Sequence, residues 1–170
     1  MAVIVFSLLM TPAGGRFVSG SVPMQPSSEL IALVKNYEGF RSAPYCCPSG
    51  LPTIGYGHTR GVSLSDAPIT EEQAETYLRE DLKIAVSRVN RYILTPLTQG
   101  QFDALVSFAF NTREDAFRNS TLVKLINQRS FDDAANEFDR WIFANGKRLK
   151  GLQLRRRAER RMFEGLDWRV

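Results

Sequence analysis

Apolar side chains begin to recur at helical spacing near residue 28, and the first helix is predicted there. A serine at position 27 or 28 would cap its first turn, and the apolar face leads toward Glu38. Glycines and prolines follow soon after Glu38 and break any helix there. The positions that form the face are Leu30, Ile31, Val34 and Tyr37. The pattern therefore places Glu38 where a helix gives way to a turning segment.

Residues 39–66 contain short apolar runs separated by glycine and proline, which is typical of a small antiparallel β region. Only helices are predicted after it. Two of them begin at capping boxes, Thr70–Gln73 and Thr98–Gln101, in which a hydroxyl and an amide satisfy free N–H groups. The expected core positions in the second of these helices and beyond are Phe102, Leu105, Val106, Phe110, Leu122, Leu125, Ile126, Phe138 and Trp141. The predicted fold class is α+β, with a predominantly helical lobe.

The first 28 residues differ from the rest of the chain, because Arg16 is their only charged residue. The apolar run from Ala2 to Met10 is too short for a stable spanning helix, which needs about 20 residues, but it has the length of a secretion signal core. A basic segment before that core is missing. Two interpretations stay open for residues 1–28: an export signal or releasable membrane anchor, or an extension without that role.

Composition narrows the function classes. A length of 170 residues and 44% hydrophobic residues fit one soluble domain, expected as a monomer. The two cysteines are adjacent and there is one histidine, so neither a disulfide framework nor a zinc site of the usual kind is expected. A net charge of +4 favours an anionic partner without identifying it.

The candidate chemistry lies in one stretch, YEGFRSAPYCCPSGLPTIGYGHT, which contains a carboxylic acid, a thiol and a hydroxyl at Glu38, Cys47 and Thr53. This line resembles the phage-type lysozymes of glycoside hydrolase family 24. Their signature is Glu, eight residues, Asp or Cys, five residues and Thr, closing on TIGYGH. Three later blocks resemble the family too: QFDALVSFAFN from Gln101, STLVKLIN from Ser120 and GLQLRRRAE from Gly151. The resemblance covers residues 29–166.

The resemblance implies a lysozyme-like catalytic domain at residues 29–170 and hydrolysis of the β-1,4 bond between N-acetylmuramic acid and N-acetylglucosamine in peptidoglycan. Glu38 would be the proton donor, and partial burial would help it to keep its proton. Cys47 would act on the other side of the sugar, together with the Thr53 hydroxyl. The family favours activation of a water molecule and inversion, and direct attack by sulfur is the alternative. No cofactor and no metal are implied.

A thiol is an unusual partner for the acid. With a reference pKa of about 8.5 it is only a few per cent ionised at pH 7, so Cys47 is expected to be a poor static counter-charge. A small buried hydrophobic residue is the commonest state of a free cysteine. A disulfide between Cys46 and Cys47 would be strained, because neighbouring Cα atoms are closer than an unstrained bridge requires.

Five further residues are expected to bind substrate or to support the site. His58 is expected to hydrogen-bond within the turn region, and Gly55 and Gly57 are expected to serve backbone shape and close approach of the sugar. Tyr56 lies between these glycines, and Asn111 ends one of the blocks that resemble the family.

Eight cationic residues lie between Lys147 and Arg161, with Glu159 as the only acid among them. A charged, solvated face of an amphipathic helix is the simplest account. The cations would also attract anionic wall polymers or an anionic membrane surface. Nucleic acid is not an expected partner, because no binding motif or aromatic stacking pattern accompanies the arginines.

The prediction is a phage endolysin that is made in the cytoplasm of the bacterial host and acts in the periplasm or cell wall. Three alternatives stay open. A lytic transglycosylase would use one acid and no water, a wall-binding module would not need Glu38 and Thr53, and a membrane-disrupting protein would act through the basic segment.

Overall fold

A computed structural model describes residues 23–47, 49–144 and 146–170 of the chain. Within these residues, seven α-helices, one 3-10 helix and two antiparallel sheets form an α+β architecture, as predicted. In chain order the elements are α1 (Ser28–Glu38), β1 (Arg41–Cys46), β2 (Pro52–Gly55), α2 (Glu71–Tyr92), α3 (Gln99–Asn111), α4 (Glu114–Asn119), α5 (Thr121–Asn127), α6 (Phe131–Glu137), the 3-10 helix (Phe138–Arg140), β3 (Phe143–Ala144), β4 (Lys147–Arg148) and α7 (Lys150–Phe163).

Helix α1 has the predicted limits. The Ser27 hydroxyl accepts a hydrogen bond from the Leu30 N–H and caps the first turn. Gly39 ends the helix in a left-handed conformation, with φ of +71°, and its N–H donates to the Lys35 carbonyl at 3.1 Å. Glu38 is therefore the last residue of α1, immediately before the chain turns into β1.

Strands β1 and β2 form the predicted small sheet. Tyr45 pairs with Thr53 and Cys46 with Pro52, and the register shifts between Arg41 and Tyr45. A tight turn joins the strands, in which the Cys47 N–H donates to the Leu51 carbonyl at 3.0 Å. The sheet thus brings Cys47 and Thr53 to the same end of one hairpin.

The helical lobe is built around α3, which packs against α1, α2 and α7. Both predicted capping boxes are present, at the starts of α2 and α3. Phe102, Leu105 and Val106 of α3 are at most 1% exposed. Because α3 is surrounded on several sides, polar side chains on it, such as Ser107, are buried as well.

The prediction that only helices follow the first sheet is wrong at one place. Strand β3 pairs with β4 in a second hairpin, through Phe143 with Arg148 and Ala144 with Lys147. Strands of two residues are too short to produce a recognisable alternation of apolar and polar positions.

Helix α7 is amphipathic as predicted, but its cations do not all lie on a solvated face. Arg155 is 4% exposed and Arg156 is 1% exposed. Glu159, which also belongs to α7, is fully buried where α7 packs against α3. The simple account of the basic segment is therefore wrong for two of its arginines, because acidic and polar partners receive them inside the lobe.

The predicted signal or anchor lies mostly in residues 1–22, which are outside the described residues. The chain is already attached to the lobe at Ser27, whose N–H and hydroxyl donate to Asp103 at 3.2 and 2.5 Å. None of the helices in residues 23–47, 49–144 and 146–170 has the length and hydropathy that crossing a bilayer demands.

Candidate functional site

Glu38 presents its two carboxylate oxygens to different surroundings. Oε1 accepts a hydrogen bond from Nη1 of Arg155 at 2.6 Å. The side chain is 25% exposed, so it is partly buried and still reachable. The arginine comes from α7, 117 residues further along the chain. The acid is thus held between the first and the last helix.

The other oxygen of Glu38 lies beside Gly57. A Cβ atom at Gly57 would lie 3.9 Å from Oε2, and the residue has φ of +94°, a conformation that favours glycine. The expected role of Gly57 in backbone shape fits this conformation, and the expected close approach of the sugar stays a prediction. Oε2 is therefore the oxygen on the side of the glycine-rich strand.

The Cys47 thiol and the Thr53 hydroxyl belong to one hydrogen-bonded group. The Cys47 Sγ lies 2.9 Å from Oγ of Ser49, and Oγ1 of Thr53 donates to the Leu51 carbonyl at 3.0 Å. Hydrogen bonds from the side chains of Ser49 and Thr53 and from the backbone at Leu51 lower the pKa of the Cys47 thiol to about 6. Thr53 itself is 2% exposed.

This group changes the expectation for the thiol. A free cysteine is mostly protonated at pH 7, whereas a thiol with a pKa of about 6 is mostly thiolate. The physical cause is the number of donors that the turn between β1 and β2 directs at the sulfur. Ser49 was not singled out from the sequence, although a serine two residues after the thiol in a tight turn is a signal for such a bond.

His58 is bound on both ring nitrogens. Nε2 lies 2.9 Å from the Arg60 carbonyl and Nδ1 lies 2.8 Å from Oδ2 of Asp81, while Arg60 also bonds the other oxygen of Asp81 at 2.9 Å. These contacts hold both edges of the ring in place. The ring also stacks on Tyr77 at 4.6 Å. His58 therefore bonds within the turn region through Arg60, as expected, and also fastens the glycine-rich segment to α2 through Asp81.

Gly55 and Tyr56 both make contacts that support the fold. A Cβ at Gly55 would lie 2.9 Å from the Cβ of Ala74, so the glycine allows α2 to pack against β2. Tyr56 is 4% exposed, and its hydroxyl donates to Glu71 at 2.7 Å. Gly55 thus permits the close approach of a helix, while the expected close approach of the sugar stays a prediction.

Asn111 lies at the end of α3, where its side-chain oxygen accepts a hydrogen bond from Arg156. Its own side chain is exposed. Sequence reasoning missed Arg155 and Arg156, because each looked like one more cation of a basic helix. The available signal was Glu159, placed four and three residues after them, where an acid on the same helix face can pair with both.

The residues that the structure describes contain no evident metal site. No group of three or more His, Cys, Asp or Glu side chains in that part of the chain is arranged to hold an ion. What the site can supply is an acid on Glu38, a thiolate on Cys47 and hydrogen bonds around each.

Comparison with known proteins gives concordant results. The family model described as "Phage lysozyme" matches residues 35–159. The endolysin of Acyrthosiphon pisum secondary endosymbiont phage 1 is 45% identical over 145 residues, covering 83% of this chain and 99% of that protein. The SAR-endolysin of Escherichia phage Mu is 36% identical over 152 residues, covering 89% of this chain and 85% of that protein.

The fold has solved counterparts as well. The muramidase domain of SpmX from Asticaccaulis excentricus has a TM-score of 0.76 and 39% identity, with 82% of this chain and 97% of that chain covered. Some relatives are longer, among them the endolysin of Bacillus phage B103, of which this chain spans about half (54%).

Proposed function

This chain belongs to the phage lysozyme family, and on that premise we propose that it is an endolysin that hydrolyses the β-1,4 bond between N-acetylmuramic acid and N-acetylglucosamine in peptidoglycan during host lysis. It is a glycoside hydrolase of the muramidase type. The observation that carries the assignment of the site is Glu38, partly buried at the end of α1, with Arg155 on one oxygen and Gly57 beside the other.

In the proposed reaction, Oε2 of Glu38 gives its proton to the glycosidic oxygen as the bond between that oxygen and the anomeric carbon breaks. A water oxygen forms the new bond to the anomeric carbon, and the water gives its proton to the Cys47 sulfur. The lowered pKa of Cys47 supports this role, because a thiolate can accept a proton near neutral pH. Thr53 holds the turn that carries the sulfur, through its bond to the Leu51 carbonyl, and its hydroxyl becomes a donor to the sulfur when it rotates away from that carbonyl.

We assign the remaining residues as supporting ones. His58 and Gly55 hold the glycine-rich segment on α2, Tyr56 packs beneath it, and Gly57 leaves space beside the acid. Asn111 keeps its amide nitrogen available at the exposed end of α3, which suits a hydrogen bond to substrate. The water route implies inversion at the anomeric carbon.

The first experiment is mass spectrometry of fragments released from purified peptidoglycan under reducing conditions. Products that have gained water and carry a reducing muramic acid end support hydrolysis, whereas anhydromuramic ends would identify a transglycosylase. Glu38→Gln should lower the rate about 10³-fold, because general acid catalysis is lost. The matched control is Glu72→Gln, which changes an exposed carboxylate on α2 and should leave the rate unchanged. NMR of the fresh product shows whether the anomer is inverted.

We further propose that residues 1–28 carry the enzyme across or onto the inner membrane, as an export signal or releasable anchor. The match to the phage Mu SAR-endolysin covers 89% of this chain, which leaves about 19 of the 170 residues unmatched at both ends together. The matched region therefore begins within the first 20 residues. The bond of Ser27 to Asp103 supports a start of the catalytic domain a few residues before position 29. Residues 1–28 fused to a reporter enzyme that is active only in the periplasm should give activity; an inactive, soluble fusion would contradict the proposal.

The second hairpin is the proposed contact with an anionic membrane surface. Lys147, Arg148 and Lys150 are exposed there, and Phe143 beside them is 60% exposed. Cations next to an exposed aromatic ring are the combination that binds anionic lipid head groups. We expect the monomeric protein to sediment with vesicles that contain anionic lipid, less so at high salt. Lys147→Gln with Arg148→Gln should weaken this binding more than the control pair Arg118→Gln with Lys124→Gln, and equal effects would refute the assignment.

A further inference from the structure

A buried group of charged and polar side chains lies behind Glu38. Nε of Arg155 donates to Oε1 of Glu159 at 3.2 Å, and the Ser107 hydroxyl donates to the same oxygen at 2.7 Å. Arg156 donates to the other oxygen of Glu159. Ser107 and Glu159 are both fully buried, so these bonds form without competition from bulk water.

The Arg155 guanidinium is fixed at three points. Nη1 bonds Glu38, Nε bonds Glu159, and Nη2 lies 3.4 Å from the Ser107 hydroxyl. A guanidinium is planar and its donors point in fixed directions. Three partners around one plane therefore set both the position and the orientation of the group that contacts the acid.

Charge balance explains why Glu159 is needed inside the lobe. Arg155 and Arg156 bring two positive charges into a region where they are at most 4% exposed. A buried charge is costly unless it is paired, and Glu159 pairs with both. Glu159 thus supplies one of the two negative charges that these arginines require, and Glu38, paired with Arg155, supplies the other.

We propose that Ser107 and Glu159 are positioning residues of the hydrolytic reaction, which hold the Arg155 guanidinium against Oε1 of Glu38 and so reserve Oε2 for the proton. With Oε1 occupied by a donor, the proton of the acid is carried on the oxygen beside Gly57. This inference rests on the proposed role of Glu38 as the acid.

The test uses Ser107→Ala, which removes one oxygen atom and two of the bonds, with Ser120→Ala as the matched control. Ser120 is also buried in the helical lobe and also makes two hydrogen bonds, to Phe117 and from Val123, outside this group. On soluble peptidoglycan fragments, kcat of Ser107→Ala should fall about 10-fold with KM within about twofold of the parent value, because a small misplacement near the acid slows the chemical step. Ser120→Ala should retain kcat. Equal kcat values for the two variants would overturn the proposal.

A second comparison separates positioning from a general loss of stability. In an Arg155→Lys background the ammonium cannot reach all three partners, so Ser107→Ala should reduce kcat by less than it does in the parent enzyme. If the two substitutions reduce kcat by factors that simply multiply, Ser107 does not act through Arg155. If Glu38→Gln retains activity, the proposed function itself fails; if that variant is inactive while Ser107→Ala matches Ser120→Ala, only this inference fails. Melting curves establish that each variant is folded at the assay temperature.

Discussion

The hydrogen bonds around Cys47 lead to a quantitative prediction for its ionisation. With a pKa of about 6, roughly 90% of the thiol is thiolate at pH 7 and roughly 10% at pH 5. A thiol without these bonds would be only a few per cent ionised at pH 7. The rate of alkylation by iodoacetamide follows the thiolate fraction, so its midpoint should lie near pH 6.

The informative perturbation is Ser49→Ala, because the Ser49 side chain is the largest single cause of the lowered pKa. A hydrogen bond to a charged group is worth about one pKa unit or slightly more, so the midpoint should move upward by about one pH unit. A Cys46→Ser background leaves one reactive thiol, and mass spectrometry counts the modified fraction at each pH. Modification of Cys47 should also abolish hydrolysis.

Ser63→Ala provides the control, since Ser63 is an exposed serine whose hydroxyl bonds Ser65. It should leave the midpoint unchanged. The reasoning would be refuted by a parent midpoint above pH 8, or by equal midpoints in Ser49→Ala and the parent protein. A high parent midpoint would show that the turn does not stabilise the thiolate, and the water route would then lose its base. Equal midpoints would show that Ser49 is not the cause of the lowered pKa.

Three further predictions concern stability. Gly55→Ala should lower the free energy of unfolding by about 3 kcal/mol, because alanine would have to adopt a left-handed backbone and would overpack against α2. Gly61 has a similar φ but open space around it, so Gly61→Ala should cost about 1 kcal/mol. Denaturant melts check both, and equal costs would contradict the packing argument. Burial raises the pKa of Asp103 in the folded protein. The protonated side chain therefore contributes stability below about pH 4, and this contribution is lost as the pH rises through the raised pKa. The Tm of Asp103→Asn, measured relative to the parent Tm, should therefore be higher at pH 7 than at pH 3. A Tm difference that does not change with pH would refute this. Asp81→Asn should destabilise the domain by about 2 kcal/mol, because His58 and Arg60 both lose the carboxylate that they contact. Denaturant melts check this cost, and an unchanged free energy of unfolding would refute the role given to Asp81.

The features that the sequence predicted well are local ones. A capping box or the end of α1 at Glu38 depends on residues within a few positions of each other, so the pattern is complete in a short window. The spacing of Glu38, Cys47 and Thr53 is local too, and the catalytic role of these residues stays a prediction. The hairpin of β3 and β4 is also local, but two-residue strands carry no periodic signal.

The rest of the site depends on tertiary contacts that no short window contains. Arg155 resembles its exposed neighbour Arg157 in sequence, and only the arrival of Ser107 from α3 and Glu38 from α1 distinguishes it. In the same way, Asp81 looks like one more charge on α2 until the glycine-rich segment folds back and His58 reaches it. Burial of a charged residue is thus decided by its partners and not by its own pattern.

The bond between Glu38 and Arg155 joins two residues that are synthesised far apart in time. The ribosome must add 117 residues after Glu38 before Arg155 exists, and α7 must then dock on α3 before the guanidinium reaches its place. Because domains fold as units during synthesis, a nascent or prematurely terminated chain has the acid without its partner. The proposed acid therefore acquires its partner only after α7 has been synthesised and has docked.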